Sequence, residues 1–464
     1  MTPPASIWRF LSGQRLKADG PAPQRLVVAS FGALIAAGTL LLLHPAATPP
    51  DRRINFVDAL FTATSATCVT GLVVRDTGTE FTYFGQGVIL ALIQLGGIGI
   101  MTLSLLVMSL LGGRFSPVSR SIMTQTLAGA GYWEDFWPLL KLVGRFTAAV
   151  EAVGAILLFG RWQPEMGTAG AVYAAVFHAI SAFCNAGFST FSTNLAAWRG
   201  DTVVNLVVAL LIVLGGLGYL TVYELLERGR RRRVLSLHTK LALSMSGALI
   251  VAGAALIWLL EARNSFEGLP FGEQFLASLF QSITCRTAGF NTVDIASLAP
   301  ATLFVMIFLM FVGGCPGSCA GGVKTTTFGV LVLAAWTRLR NRSHVNAFGR
   351  TIGDATIVNT LSITLGGVAA VFFGALLVLM LQQAASAGVQ THGHFVEYLF
   401  ETVSALGTVG LSTGATASLT PPARLVVTFL MFLGRLGPLT VAAALARRDE
   451  LRDWRYPEED VMVG

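Results

Sequence analysis

The chain has 464 residues, of which 53% are hydrophobic and only 12% are charged. Soluble proteins average about 25% charged residues, and a mean hydropathy of +0.67 is typical of chains that lie mostly in lipid. These values exclude an ordinary soluble protein and predict a polytopic membrane protein. The formal net charge of +7 does not indicate nucleic acid as a partner, because the basic residues lie in particular connectors beside apolar runs.

Apolar runs long enough to cross roughly 30 Å of hydrocarbon occur eight times along the chain. Backbone groups in lipid need hydrogen-bond partners within their own segment, and the runs lack the alternation of barrel strands, so they should be helices. The sequence therefore predicts an all-α membrane protein with eight transmembrane helices, at about 26–46, 84–111, 137–160, 202–227, 239–262, 300–335, 356–382 and 423–446.

Basic residues precede the first span and follow every even-numbered span. Examples are Arg25, Arg114, Arg231, Arg340 and Arg447. Because cytoplasmic connectors carry the excess of Lys and Arg, both termini should be cytoplasmic. Residues 1–25 lack a cleavage site after a short apolar core, so they are predicted to be a cytoplasmic segment and not a signal peptide. Residues 447–464 are predicted to be a cytoplasmic tail. The run 230–233 most simply fixes orientation beside anionic membrane lipid, and docking of a partner is the alternative.

A glycine-centred break recurs four times in the chain, roughly every 100–120 residues. The copies read LFTATSATCVTGL, VFHAISAFCNAGFS, LFQSITCRTAGFN and LFETVSALGTVGLS. An aromatic residue precedes the central glycine by ten residues in three copies and by nine in the third, namely Phe61, Phe177, Phe280 and Phe400. A second glycine cluster follows in the next apolar run, at Gly96, Gly215, Gly313 and Gly434. These features predict four copies of one structural unit.

Each unit reads as a span, a short helix, a glycine break and a second span, and the short helices should be re-entrant because they are too short to cross. The predicted repeats are residues 26–115, 116–235, 236–340 and 341–446. Irregular backbone at membrane depth must be buried by protein or line an aqueous cavity. Four such segments around one pseudo-fourfold axis would offer carbonyl oxygens to a monovalent cation. One break alone would favour a packing kink between helices, whereas four equivalent breaks favour a pore.

The stretches TATSATCVTGL, NAGFST, RTAGFNT, TVGLSTG and GGCPGSCAGGVKTTT resemble motifs of the Trk/Ktr/HKT superfamily of potassium translocation proteins, over nearly the whole chain. With one span before the first pore loop, the chain is most similar to the Ktr B subunit or a short Trk H. The resemblance implies four membrane-pore-membrane repeats, potassium as the substrate, and a homodimer with one pore per subunit in the cell membrane. It also implies a cytosolic ring of RCK domains, of Ktr A or Trk A type, that binds ATP, ADP or NAD.

No phosphate-binding glycine loop follows a soluble strand in the sequence, so nucleotide is expected on the partner subunit and no cofactor is expected in this chain. Carried over from the family, the selectivity filter would comprise Cys68, Val69, Thr70, Gly71, Cys184, Asn185, Ala186, Gly187, Arg286, Thr287, Ala288, Gly289, Gly407, Thr408, Val409 and Gly410. A serine at the position of Gly71 accompanies sodium transport in plant HKT relatives, so the glycine favours potassium. Potassium channels carry a second glycine where Val73, Ser189, Asn291 and Ser412 stand, which implies less stringent exclusion of sodium.

Glycines and a proline interrupt the sixth predicted span between residues 313 and 324, so this span should break. By resemblance, this segment is an intramembrane gate loop beneath the filter, formed by Gly313, Gly314, Pro316, Gly317, Gly321, Gly322 and Lys324. Arg435 stands where the other repeats carry a glycine. Its guanidinium needs partners at that depth, and the freed carbonyl groups of the loop are suitable, so we expect Arg435 to hold the loop across the pore. The alternative is that Arg435 extends to a nearby interface.

Other polar residues carry weaker signals. We expect Glu151, Asp354 and Glu401 to pair with arginines in structural roles, with ion coupling as the alternative. His178 and His344 are interpreted as satisfied bystanders, and the pair His392 and His394 is weak evidence for a transition metal. The five cysteines favour small-residue packing over a disulfide framework or a metal site.

Three functions remain open on the residues alone. A potassium pore driven by membrane potential accounts best for fourfold repetition. A symporter that couples potassium to sodium or protons is the alternative, because broken helices occur in such carriers too. An enzyme would need a nucleophile with its base, or a metal cluster, and the sequence offers neither, so no enzymatic activity is expected.

Overall fold

The computed structural model describes residues 23–98, 136–231, 234–385, 394–437 and 441. Within this part the regular secondary structure is helical apart from a two-stranded hairpin, β1 Asn346–Ala347 and β2 Arg350–Thr351. The helices are α1 Pro23–Leu43, α2 Phe56–Thr67, α3 Tyr83–Gly97, α4 Phe136–Phe183, α5 Thr202–Gly216, α6 Tyr219–Arg231, α7 Leu237–Glu261, α8 Phe271–Thr284, α9 Pro300–Phe311, α10 Thr325–Leu339, α11 Asp354–Ala385, α12 Phe395–Gly407, α13 Ala415–Ser418 and α14 Pro421–Leu436.

Several predictions concern residues outside the described ranges. They are the cytoplasmic segment 1–22, the end of the second span at 99–111, the arginines at 232 and 233, His392, the end of the last span and the tail 447–464.

Membrane-length helices are present in the described part of the chain. Val143–Phe183, Leu237–Glu261 and Asp354–Ala385 are each long and apolar enough to cross a bilayer. A fourth span is formed if the bent pair Thr202–Gly216 and Tyr219–Leu226 is counted together. Shorter apolar helices occur at Val27–Leu43, Tyr83–Gly97 and Pro300–Phe311. This agrees with a multi-pass helical membrane protein, while the eight-span count remains a prediction.

The predicted short helices are α2, α8, α12 and the last part of α4. The backbone of α4 is interrupted at Gly167, where φ is +71°, close behind Pro164, so the predicted third span and second re-entrant helix form one bent element. Each short helix ends immediately before a glycine break, and its last turns are buried. The N-terminus of α2 is capped by the Asn55 side chain, whose oxygen accepts from the Asp58 backbone N–H.

Neighbouring helices pack in a closed circuit. The short helix α2 lies against α1 and α3, the C-terminal part of α4 against α5, α8 against α7, and α12 against α9, α11 and α14. The last helix α14 also packs on α2, which brings the end of the chain against its beginning. The buried apolar residues that fill these contacts include Phe61, Phe177, Phe280 and Phe400, the four aromatics of the sequence repeat. The repeat aromatics therefore anchor the short helices in the core.

The prediction of one continuous fourth span at 202–227 is wrong. Helix α5 ends at Gly216 and α6 begins at Tyr219, and the two are bent by 99°. Gly218 between them has a φ of +79°, which favours glycine. The bend is stabilised because carbonyl groups freed at the end of α5 accept hydrogen bonds from the segment that breaks the sixth span. That sixth span does break as its composition predicts, since α9 ends at Phe311 and α10 begins at Thr325.

Candidate functional site

The four glycine breaks meet in one closed ring. A Cβ built on Gly71 would overlap the Ala186 carbonyl oxygen, and one built on Gly187 would lie 2.7 Å from the Gly289 Cα. Going on around the ring, a Cβ on Gly289 would lie 2.5 Å from the Val409 carbonyl oxygen, and one on Gly410 would overlap the Thr70 carbonyl oxygen. Each break thus touches the next in chain order, and the last touches the first. A side chain larger than hydrogen fits at these glycines only if the neighbouring backbone shifts.

All sixteen residues that the sequence assigns to the filter are buried in this ring. In each segment two residues have a positive φ, the glycine itself and the residue two positions before it. The earlier residues are Val69 at 56°, Asn185 at 59°, Thr287 at 69° and Thr408 at 50°. The glycines are Gly71 at 93°, Gly187 at 69°, Gly289 at 76° and Gly410 at 91°. Four segments therefore share one backbone conformation that is unfavourable for ordinary residues and persists only where its surroundings enforce it.

Four hydroxyl residues brace these segments, and the sequence reasoning missed them. Each lies four residues after the repeat aromatic, at Ser65, Ser181, Thr284 and Ser404. Three of the hydroxyls donate to the carbonyl oxygen just past the glycine, at Leu72 (2.8 Å), Phe188 (2.7 Å) and Phe290 (2.6 Å). In the fourth repeat the hydroxyl accepts from the Gly410 N–H at 3.1 Å. The sequence signal that could have revealed these bracing residues is a Ser or Thr four positions after each repeat aromatic.

The same alignment locates the one-residue slip of the third repeat. From the bracing hydroxyl to the first positive-φ residue there are four positions in repeats one, two and four, but three from Thr284 to Thr287. The third repeat is therefore one residue shorter than the others between its bracing hydroxyl residue and its ring segment. Consistent with this, the Ala288 N–H bonds back to the Thr284 carbonyl oxygen, one residue nearer in sequence than the equivalent bond from Thr70 to Ser65.

The second glycine clusters lie directly under the short helices. A Cβ on Gly96, Gly215 or Gly434 would overlap the carbonyl oxygen of Thr67, Phe183 or Leu406 respectively. These glycines let the following span approach the end of the short helix, so that the ring is enclosed by backbone. Gly313 departs from the pattern, because its neighbour is the Gly321 carbonyl oxygen within the broken sixth span.

The predicted gate loop, residues 313–324, folds on itself and against the ring. Val312 and Val323 form a parallel bridge, and the Gly313 N–H donates to the Val323 carbonyl oxygen at 2.8 Å. Gly321 lies against the Thr408 side chain, and a Cβ on Gly322 would be 3.5 Å from the Gly407 Cα. The loop therefore contacts the first two residues of the fourth ring segment, Gly407 and Thr408.

The loop is also bonded to other parts of the circuit. Its Cys315 and Cys319 N–H groups donate to the carbonyl oxygens of Gly216 (2.9 Å) and Gly215 (3.2 Å) at the end of α5. The Cys319 thiol donates to the Gly97 carbonyl oxygen at 3.0 Å. Lys324 is half-buried and its Nζ donates to the Ala320 carbonyl oxygen at 2.7 Å, within the loop itself. The loop thus donates hydrogen bonds to carbonyl oxygens that are left free at the ends of α3 and α5.

Arg435 is buried, with 4% of its surface exposed, so extension to an interface is not what the structure shows. Its Nη1 donates to the Cys319 carbonyl oxygen in the loop, and its Nη2 donates to the Gly96 carbonyl oxygen at the end of α3. One guanidinium joins the last helix, the loop and the first repeat. The sequence prediction that Arg435 bonds the loop backbone agrees with this geometry.

The expectation that buried acids pair with arginines is wrong for two of them. Glu401 accepts hydrogen bonds from hydroxyl groups and a backbone N–H of residues 412–416. Glu151 accepts from the Gln94 side chain at 3.2 Å. The folded chain supplies uncharged donors to both acids, and the sequence does not show which elements become their neighbours. Asp354 is exposed in the first turn of α11, where a negative charge suits the positive helix end.

The histidines and cysteines have simple surroundings. His178 is fully buried and bonds through both ring nitrogens, whereas His344 is exposed and His394 pairs with Glu397 at 2.7 Å. All five cysteines are free and buried. Among the described residues, no group of three or more His, Cys, Asp or Glu side chains is arranged to hold a metal ion.

Comparison with known proteins assigns the family. The TrkH family model, which describes a cation transport protein, matches residues 17–452. This chain belongs to the TrkH family of cation transport proteins. Ktr system potassium uptake protein B of Vibrio alginolyticus is 38% identical over 455 residues, which cover 97% of each protein. Potassium/sodium uptake protein NtpJ of Enterococcus hirae is 35% identical over 456 residues, which cover 96% of this chain and 97% of that protein.

A solved structure supports the same architecture. The crystal structure of the potassium transporter TrkH from Vibrio parahaemolyticus superposes with a TM-score of 0.71 over 93% of this chain and 87% of that one, at 20% identity. That likeness concerns the fold. With its apolar composition and membrane-length helices, this TrkH-family chain is a multi-pass membrane protein.

Proposed function

We propose that this chain is a potassium uptake pore of the cell membrane, with a selectivity filter made of backbone carbonyl groups. The closed ring of four glycine breaks carries the proposal, because it gathers neutral oxygens from four segments at one place. Such a ring can replace the hydration shell of a monovalent cation without a fixed negative charge. The uptake of potassium by relatives that are more than 35% identical supports potassium as the ion.

The sixteen filter residues named from the sequence would supply the ligands through their backbone oxygens. Four membrane-pore-membrane repeats with eight spans would surround them. The short helices would direct their C-terminal ends, which carry partial negative charge, toward the ion. Residues 313–324 would close the pore beneath the filter, held by Arg435, and would move aside when the pore opens.

Opening would be controlled from the cytosol. A ring of RCK domains of Ktr A or Trk A type, with ATP, ADP or NAD bound, would dock on the basic connectors of a homodimer whose termini are both cytoplasmic. Arg338, Arg340 and Arg342, which are exposed at and just after the end of α10, would belong to such a docking surface. The nucleotide would belong to the partner and the potassium ion would be the substrate of this chain.

Ion flux into liposomes that hold the purified protein tests the proposal. Uptake of potassium, rubidium and sodium would be measured at imposed voltages for the wild type and for Gly289→Ser. The new side chain meets the Val409 carbonyl oxygen, so potassium-over-sodium discrimination should fall by about tenfold. Gly247→Ser is the matched control, because a Cβ at Gly247 has nothing within 4 Å. An unchanged permeation order in Gly289→Ser would refute the filter assignment.

Coupled transport is the second candidate, and one observation favours it. The relative from Enterococcus hirae is described as a potassium/sodium uptake protein. A symporter would make potassium uptake depend on an imposed sodium or proton gradient at zero voltage. The same liposomes decide between the two, since flux through a pore would follow the voltage and the potassium gradient and would not depend on a sodium or proton gradient.

A further inference from the structure

In each repeat, a side chain of the short helix is bonded to the segment that leaves the ring. Alignment on the repeat aromatic places Thr62, His178, Gln281 and Glu401 at one position, directly after the aromatic. All four are buried, with 2% exposure for Thr62 and none for the others. Buried polar groups are costly unless they are hydrogen-bonded, so their partners matter.

The fourth repeat has the strongest of these ties. Glu401 accepts from the Ser412 hydroxyl at 2.6 Å, from the Thr413 N–H at 2.9 Å and hydroxyl at 3.2 Å, and from the Thr416 hydroxyl. Ser412 lies two residues past the ring glycine Gly410. One carboxyl group thus fixes the whole turn by which the chain leaves the ring.

The second and third repeats use neutral side chains for the same contact. His178 Nδ1 lies 2.8 Å from the Ala174 carbonyl oxygen, which can only accept, so Nδ1 carries a proton. In the neutral ring Nε2 then accepts from the Ser189 hydroxyl at 2.8 Å, again two residues past the ring glycine. In the third repeat, Gln281 Nε2 donates to the Thr292 hydroxyl at 3.4 Å.

In the first repeat, the residue that is bonded to the exit segment lies one turn earlier on the short helix. The Thr62 hydroxyl has no hydrogen-bond partner within the described residues. Asp58, four residues before it and on the same helix face, accepts from Arg75 Nε at 3.0 Å. Arg75 lies four residues past Gly71, so this exit segment is also bonded to its own short helix.

We infer that Asp58, His178, Gln281 and Glu401 are positioning residues that set the spacing of the carbonyl ring by fixing the four segments that leave it. The inference rests on the proposed filter. Residues with a positive φ persist only where surrounding contacts enforce them, and a ring of carbonyl oxygens selects ions by the number and placement of its ligands. Loosening one exit segment should therefore change which ion is preferred.

The double variant Ser412→Ala with Thr416→Val tests this, because it removes two of the hydroxyl donors to Glu401 and leaves the carboxyl group in place. A matched control exists at Glu261, which is also fully buried and accepts from Asn264, the Ser265 and Ala299 N–H groups and Thr302, where the end of α7 meets the start of α9. Asn264→Ala with Thr302→Val removes two donors there. Potassium, rubidium and sodium flux and the unfolding temperature would be measured for both, beside Gly289→Ser.

We expect both double variants to unfold at a lower temperature and only Ser412→Ala with Thr416→Val to lose discrimination, by about fivefold. If that variant has the ion preference of the wild type while Gly289→Ser has an altered one, the inference is overturned. The proposed filter is not affected by that result. If Gly289→Ser has no effect either, the proposed filter fails and the inference with it. Should the double variant not fold, Ser189→Ala, which removes the partner of His178, makes the same prediction in the second repeat.

Discussion

Arg424 of the last helix forms a partly buried ion pair with Asp58 of the first short helix, with 2.5 Å between Nη1 and Oδ1. The other oxygen of Asp58 accepts from Arg75 at 3.0 Å, and Arg424 Nη2 also donates to the Ala417 carbonyl oxygen at 2.9 Å. The peptide chain itself connects consecutive repeats, but nothing covalent connects the fourth to the first. The pair therefore closes the ring at its one junction without a peptide connection, and Arg435 bonds across the same junction at the other end of α14.

Arg424→Gln should destabilise the protein by about 2 kcal/mol, because Asp58 keeps Arg75 but loses its second charged partner. Thermal unfolding of the detergent-solubilised protein, followed by tryptophan fluorescence, measures the change. Arg52→Gln is the control, since the ion pair of Arg52 with Asp51 is 3.6 Å long and both side chains are largely exposed, so about 0.5 kcal/mol or less is expected. Similar losses in the two variants would argue against a special role for the junction.

Arg435→Ala should raise basal potassium flux in liposomes that lack any cytosolic subunit. The variant loses the bond to the Cys319 carbonyl oxygen, and a hydrogen bond from a charged donor contributes about 1.5–3 kcal/mol, which corresponds to a shift of roughly 10- to 150-fold toward an open loop. Arg435→Lys should give an intermediate flux, because an ammonium lacks the planar fork that serves two carbonyl oxygens at once. Wild-type basal flux in Arg435→Ala would mean that the loop is held by its other contacts.

Gly218→Ala should displace the gate loop from the bent fourth span. Gly218 has a φ of +79°, and a Cβ there would overlap the Pro316 carbonyl oxygen. We expect a loss of about 1–2 kcal/mol in stability together with altered basal flux. Gly247→Ala, in a helix with open space around it, should instead be neutral or stabilising by about 0.5–1 kcal/mol. If both substitutions leave the flux unchanged, the bend is not part of the gate.

The sequence predicted much of the ring because its signal is local and repeated. The glycines at 71, 187, 289 and 410 could be aligned by eye, and the structure brings all four together. The break of the sixth span and the partner of Arg435 followed from composition and from the cost of an unpaired guanidinium. Other contacts between elements distant in sequence were not predicted. Glu401 and Glu151 were expected to find arginines, but the fold supplies hydroxyl and amide donors instead.

The bend in the fourth span shows a second limit of the sequence. The run GGLG at 215–218 aligns with the second glycine clusters of the other repeats, and residues 202–227 were predicted to be one span. A helix end at Gly216 is stable here because the gate loop, about a hundred residues later, donates two N–H groups to its free carbonyl oxygens. No pattern within residues 202–227 indicates these two donors from the third repeat.

Glu151→Gln separates a pore from a carrier coupled to protons. An acidic residue within a span is by default a candidate for ion or proton coupling. Glu151 has 9% of its surface exposed, and its side-chain partners are the amide of Gln94 at 3.2 Å and the thiol of Cys184 at 4.0 Å, both uncharged. An amide of the same shape can keep one hydrogen bond to Gln94, so a structural role tolerates the change.

We therefore expect Glu151→Gln to take up rubidium at a rate close to that of the wild type when a voltage is imposed. The rate should show the same small response to an imposed pH gradient in both proteins, because a pore passes the ion without moving a proton through Glu151. Uptake into liposomes with voltage and pH gradient set independently makes the measurement. A wild-type protein whose uptake follows the pH gradient at zero voltage, and a variant that has lost that response, would instead identify Glu151 as a coupling residue and favour the symporter.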